Sequence, residues 1–89
     1  MDFEWDRKKA LANQRKHDVS FEEAAEVFAD ALSSTVVDPD HSQEEQRFVI
    51  FGQTLAGRLL VVAFTERNDR IRIITARQMT RRERGAYEQ

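Results

Sequence analysis

The 89-residue sequence contains no cysteine, which excludes disulfides, thiolate metal sites and a cysteine nucleophile. Histidine is nearly as scarce. His17 and His41 are the only two, and their spacing matches no zinc pattern, so no metal or other cofactor is expected. No apolar run approaches membrane-spanning length, and the opening MDFEWDRKK lacks the apolar core of a signal peptide. The expectation is a cytoplasmic protein without membrane contact. Glycine-rich phosphate loops, nucleophile elbows and zincin motifs are all missing. Lysine, too, is absent after Lys16.

What is present is arginine. From Gln46 onward nine arginines face four acids, a balance of +5, whereas the first half sets five basic residues against twelve acids, a balance of −7. The overall charge of −2 therefore hides a divided molecule. Arginine's planar, permanently charged fork binds phosphate bidentately, and such asymmetry points to nucleic acid. The plainer alternative is that exposed arginines keep a small sheet soluble. With 40% apolar and 34% charged residues the chain reads as one globular domain over residues 1–89.

Phe3 to Trp5 reads as a short opening strand. Asp6 is the N-cap of a helix through RKKALANQRKH to about His17, with Ala10, Asn13 and His17 on one weakly apolar face. Ser20 and Glu23 have capping-box spacing ahead of a second helix, whose apolar side is Phe21, Ala24, Ala25, Phe28 and Leu32. A short strand is expected at Ser34 to Val37, then a turn at Asp38-Pro39-Asp40-His41-Ser42. Arg47 to Gln53, Arg58 to Glu66 and Arg70 to Arg77 form an antiparallel meander, the middle strand covered on both faces. Thr80 and Glu83 repeat the capping-box spacing before a short last helix, which Gly85 weakens by about 1 kcal/mol. The fold class is α+β.

RIRIITARQMTRRER is the stretch richest in candidate chemistry. Alternation sends Arg70 and Arg72 to one face and Ile71 and Ile73 to the other. Arg77 closes the strand, and Arg81, Arg82 and Arg84 follow beside a helix N-terminus, where phosphate is favoured. His17 is either an acid–base group or a partner of its helix's C-terminal dipole. The cluster Asp38, Asp40, Glu44 and Glu45 reads as a solvated loop rather than a cation site. Phe3 and Trp5 read as core anchors, with base stacking the lesser alternative.

Trp5-Asp6 with Lys9, Lys16-His17 before Val19-Ser20-Phe21, and Ile74-Thr75-Ala76-Arg77 with Arg82-Glu83 and Tyr87 resemble the BrnT family, toxins of type II toxin–antitoxin modules. The resemblance spans nearly the whole chain. Asp18 stands where glycine is usual and Met79 where a small residue is usual. The resemblance implies a RelE-like fold, with two N-terminal helices packed on a small twisted antiparallel sheet and a short C-terminal helix. It also implies a metal-independent endoribonuclease that cleaves mRNA and inhibits translation. A BrnA-like ribbon-helix-helix antitoxin would neutralise it, in a 2:2 heterotetramer that meets operator DNA only through the antitoxin.

Cleavage without metal uses the RNA 2′-OH as nucleophile, so the protein must align the phosphate, stabilise charge and move two protons. Arg77 and Arg81 are assigned charge stabilisation, and Arg47, Arg70, Arg72 and Arg82 phosphate binding. Lys9, His17, Glu45 and Glu66 are the candidates for the base. The competing class is a non-catalytic nucleic-acid- or protein-binding module that uses the arginine-rich sheet face.

Overall fold

The computed structural model describes residues 1–38, 40 and 45–88. Its strands are β1 (Asp2–Glu4), β2 (Ser34–Val37), β3 (Arg47–Gln53), β4 (Leu59–Arg67) and β5 (Arg70–Gln78), and its helices α1 (Arg7–His17), α2 (Phe21–Ala25) and α3 (Arg81–Tyr87). The strands form one sheet in the order β1-β5-β4-β3-β2. Among the described residues no helix is long and apolar enough to cross a membrane.

The expected all-antiparallel sheet is corrected to a mixed one, because β1 lies parallel to β5. That direction sends the chain on along the same edge of β5, where α1 takes over. Asp6 starts α1 by accepting from the backbone N–H of Lys8 and Lys9 at 2.8 and 3.1 Å. These two backbone bonds also hold the Asp6 carboxyl below its usual range. Arg15 and Lys16 complement the dipole in the last turn, and Asp18 ends the helix in the left-handed conformation at φ 57°. Midway, buried Asn13 bonds the β5 edge that β1 is too short to reach. Its amide donates to Ala76 O at 2.8 Å and Val19 O at 3.1 Å, and its carbonyl oxygen accepts from Ala76 N–H at 3.1 Å.

The second helix is shorter than its periodicity suggests. Only Phe21–Ala25 is α-helical; Glu26–Ala29 tightens into a 3-10 turn and Asp30 is extended. Asp30 ends it, accepting from Leu32 N–H at 2.9 Å and from Gln53 N–H at 2.8 Å, which ties the chain to β3. Leu32 is consequently 79% exposed instead of completing the apolar side. At the start of α2, Ser20 Oγ accepts from Glu23 N–H at 3.0 Å, but the Glu23 carboxylate turns to Arg58 at 2.8 Å, so only half of the expected box forms.

The core lies between one sheet face and α1, α2 and the 3-10 turn, with α3 outside it. Phe21, Val27, Leu60, Val62 and Ile73 are almost wholly buried, each contributing about 1.5–3 kcal/mol of transfer free energy. Phe28 sits edge-on to both Phe3 and Phe64, with ring centroids at 5.2 and 4.9 Å, and Trp5 to Phe21 at 5.9 Å. Phe3 and Trp5 are thus core anchors. Leu60 and Val62 pack into the core, whereas Val61, though buried among its neighbours, faces the other side of the sheet and lines an open hollow, so the expected cover on both faces is corrected to cover on one.

β4 and β5 join through Asn68-Asp69, both at positive φ (54° and 64°), matching the right-handed strand twist. Gly52 packs its backbone against the 3-10 turn. A Cβ there would stand 3.0 Å from Val27 Cβ and 3.1 Å from Val27 O. Gly52→Ala should therefore cost about 1–3 kcal/mol, since the carbonyl belongs to fixed backbone. A chemical denaturation midpoint equal to that of the parent protein would show that the turn yields.

β5 carries a bulge. Ala63 pairs with Thr75 but Phe64 with Ile73, leaving Ile74 extra. Strict alternation from Arg70 and Arg72 would point Arg77 into the core. The extra residue swings Thr75 and Arg77 onto the same face as Arg72 and sends Ala76 inward, fully buried.

Candidate active site

The sheet face turned away from α2 carries the arginines. Residues opposite one another across the strands fall into three rows on it: Glu4–Arg72–Thr65–Arg47, Thr75–Ala63–Val49–Val36, and Arg77–Val61–Phe51–Ser34. Polar cationic groups dominate the first row, small apolar groups the second, and the third mixes arginine with an aromatic ring.

Three hollows follow these rows. The first, of about 400 Å³, lies where α1 borders the sheet and is lined by Lys9, Lys16, His17 and Arg47, with Asn13, Ile74 and Thr75 at its base. The second, about 350 Å³, has a floor of Val49, Phe51, Val61 and Ala63, with Thr75 and Arg77 along it. The third, about 360 Å³, lies between Ser34, Phe51 and the α3 residues Arg82, Ala86 and Tyr87. Thr75 is shared by the first two hollows and Phe51 by the last two, so they form one track.

Arg77 is held firmly. Its two terminal nitrogens donate to the Glu83 carboxylate at 2.8 and 3.0 Å, and Nη1 also reaches Gln78 O at 3.2 Å. Glu83 in turn accepts from Thr80 N–H at 2.8 Å and donates its own N–H to Thr80 Oγ1 at 3.2 Å, which completes the expected capping box. The protein's own carboxylate therefore occupies the α3 terminus where phosphate was expected. Hydrogen bonding to Arg77 chiefly, helped by Thr80, holds the Glu83 carboxyl down at about 2, and the same bond raises the Arg77 guanidinium.

Because that carboxyl lies below its ordinary 4.5, its stabilisation is complete above pH 4.5 and drains away as pH falls toward 2. The stability gap between the parent protein and Glu83→Gln should accordingly narrow across that window in an acid series of thermal melts. A gap that stays constant down to pH 2 would detach Glu83 from this ion pair.

α3 is fixed at its other end as well. Tyr87 Oη donates to Asp30 Oδ2. Burial first, then the Asp30 carboxylate, pushes the phenol up to about 12.

Of the residues expected in a site, Lys9, His17 and Arg47 converge on the first hollow, Arg77 stands on the second and Arg82 on the third. Arg70 and Arg72 lie apart, tied to Glu4 at 3.8 and 2.9 Å beside β1. Arg81 is exposed on the first turn of α3. Glu45 is claimed by a bidentate pair with Arg67, at 2.9 and 3.0 Å. Glu66 lies opposite Ile71, on the sheet side away from Arg47 and Arg77. His41 and Glu44 lie outside the described residues. Sequence reasoning missed Lys16 as a wall of the hollow, and also Thr75 and Phe51. Alternation along β3 could have set Val49 and Phe51 apart from Phe48 and Ile50. The bulge that places Thr75 leaves no comparable trace.

The arginine surplus is thus partly structural. Arg58, for example, clamps the α1–α2 corner through Glu23 and Asp18 O, both at 2.8 Å. Lys9, Lys16, Arg47, Arg77 and Arg82 still line the track, beside the carboxylates of Asp38 and Glu83.

The family described as "Ribonuclease toxin, BrnT, of type II toxin-antitoxin system" matches residues 5–83. The chain belongs to the BrnT family. It is therefore a member of a ribonuclease toxin family whose modules pair each toxin with an antitoxin. Its fold is similar to that of the Brucella abortus ribonuclease toxin BrnT, seen in a crystal structure at 1.1 Å resolution. The TM-score is 0.67 at 20% sequence identity, over 91% of this chain and 99% of that one. No curated protein sequence matches. The α+β fold, with three α-helices and a mixed five-stranded sheet among the described residues, is accordingly a BrnT fold.

Proposed function

We propose that this BrnT-family toxin cleaves mRNA without a metal ion, using the 2′-OH of the substrate as nucleophile and the open sheet face as its active site. The observation that carries this reading is the geometry of Arg77. Glu83 takes its end-on fork, which leaves the side-on pair, Nε–H and the second Nη2–H, for an incoming phosphate. A pre-oriented guanidinium meets the charge that develops on the phosphate oxygens with little reorganisation.

The nucleotide lies along the track with its scissile phosphate near Thr75, between Arg77 and the cations of the first hollow. Arg47 and Lys16 hold the phosphate, and Arg82 and Arg81 serve flanking phosphates farther along α3. Arg70 and Arg72, bound to Glu4, set the potential of that edge rather than touching the reacting group. Of the four candidate bases only Lys9 and His17 line the track. His17 takes the 2′-OH proton when neutral, and Lys9, as a cation, protonates the leaving 5′-oxygen.

The antitoxin is a BrnA-like ribbon-helix-helix protein. It inhibits by laying an acidic, amphipathic segment over the arginine-bearing face. As a dimer that reads operator DNA, it carries one toxin on each side, giving a 2:2 assembly. Charge pairing speeds this association more than it deepens it.

Expression of the toxin alone should arrest growth, and the purified protein should fragment RNA in EDTA. Tight retention of intact RNA, without fragments, would instead make the chain a non-catalytic binder.

A further inference from the structure

Phe51 is the odd aromatic of this molecule. The other five phenylalanines and Trp5 contact one another inside the core, whereas Phe51 lies on the opposite sheet face with no ring beside it among the described contacts. It is neither fully buried nor part of the hydrophobic cluster. Val61 flanks it on β4 and Ser34 on β2, and beyond Val61 the row ends in Arg77. It is also the residue that joins the second hollow to the third, where Arg82 stands.

Thr75 connects the cationic first hollow to the second, whose floor is apolar and whose margin carries Arg77 and Asp38. The pair suits a ligand that is anionic at one end and flat and apolar at the other. An unpaired nucleotide has that form, and single-stranded RNA is recognised by stacking bases on aromatic rings and arginine planes.

We infer that Phe51, with Val49 and Val61 beside it, is a nucleobase-stacking slot that selects the unpaired nucleotide adjoining the scissile phosphate. The slot rests on the assignment of RNA to this face, and it goes further by naming the residue that reads the base. Stacking tolerates every base, so the slot demands an unpaired nucleotide at that place and sets no strong preference among the four.

The test uses a short unstructured RNA carrying 2-aminopurine at one position, bound to the full-length toxin. Arg77→Ala protein serves as a second host, so that cleavage does not consume the probe. Both proteins should quench the probe. Phe51→Leu should weaken RNA binding about tenfold and abolish the quench, with a melting temperature close to that of the parent protein. An abasic site at the probe position should weaken parent binding by a similar factor and leave Phe51→Leu unaffected.

Cleavage that proceeds while no position quenches would overturn the slot and leave the ribonuclease reading standing. Quenching without cleavage by the parent would do the reverse. If Phe51→Leu binds and quenches normally but escapes the antitoxin, the face docks protein there and the slot is wrong.

Discussion

Arg77→Ala should lower the rate of RNA cleavage by about 10²–10³-fold, the loss typical of removing one preorganised donor to a developing negative charge. The fold should survive. The side chain is 40% exposed and outside the core, so losing its ion pair with Glu83 should lower stability without unfolding the protein. Two further variants separate charge from geometry. Arg77→Lys keeps the cation but cannot engage Glu83 and a phosphate by two parallel forks at once, so most of the loss should remain. Glu83→Gln leaves the guanidinium in place with weaker orientation, so it should fall between. Growth arrest on expression is the coarse readout and single-turnover cleavage the fine one. Toxicity unchanged in Arg77→Ala would remove Arg77 from the site.

Asn13→Ala is the variant expected to cost most in stability. It strips hydrogen-bond partners from three buried backbone groups: Val19 O, Ala76 O and Ala76 N–H. Stranding such groups costs about 1–3 kcal/mol each when no water replaces the partner, and partial relaxation brings the whole to about 2–4 kcal/mol. For a domain of this size that corresponds to a fall of roughly 10–20 °C in melting temperature. Asn13→Asp should do similar harm, because a carboxylate cannot donate to two carbonyls. Activity should fall with either, since Asn13 fastens α1, and with it Lys9, Lys16 and His17, to the edge of β5. A melting temperature within about 2 °C of the parent would mean that water replaces the amide.

These two residues also mark how far the sequence was legible. The strands and most of the helices follow from local chemistry. The meander, the α1 limits and the Thr80–Glu83 box all follow from patterns a few residues long. The end of α2 does not, because Asp30 breaks the helix through a bond to Gln53, twenty-three residues away. The parallel β1 was hidden for the same reason, because Asp2–Glu4 pairs with Arg70, Ile71 and Arg72, far along the sequence.

The site was legible in composition and not in arrangement. Arg77 was singled out as an arginine at the end of a strand, yet plain alternation would have buried it, and only the Ile74 bulge exposes it. Asn13 looked like an interruption in a weak apolar stripe. It is in fact the polar group that a strand edge requires. Five of the nine later arginines, read as one phosphate-binding surface, pair with Glu4, Glu23, Glu45 and Glu83. Charge counting along a chain cannot see those pairs, because their partners lie up to sixty-eight residues apart.

The most direct measurement of the central claim is an end-group analysis of RNA cut by the purified toxin in excess EDTA, run beside Arg77→Ala. Attack by the substrate's own 2′-OH leaves a 2′,3′-cyclic phosphate on one fragment and a free 5′-hydroxyl on the other. Those ends, formed by the parent protein and nearly absent with Arg77→Ala, are what this account predicts. Fragments with 5′-phosphates, or cleavage that EDTA stops, would contradict it.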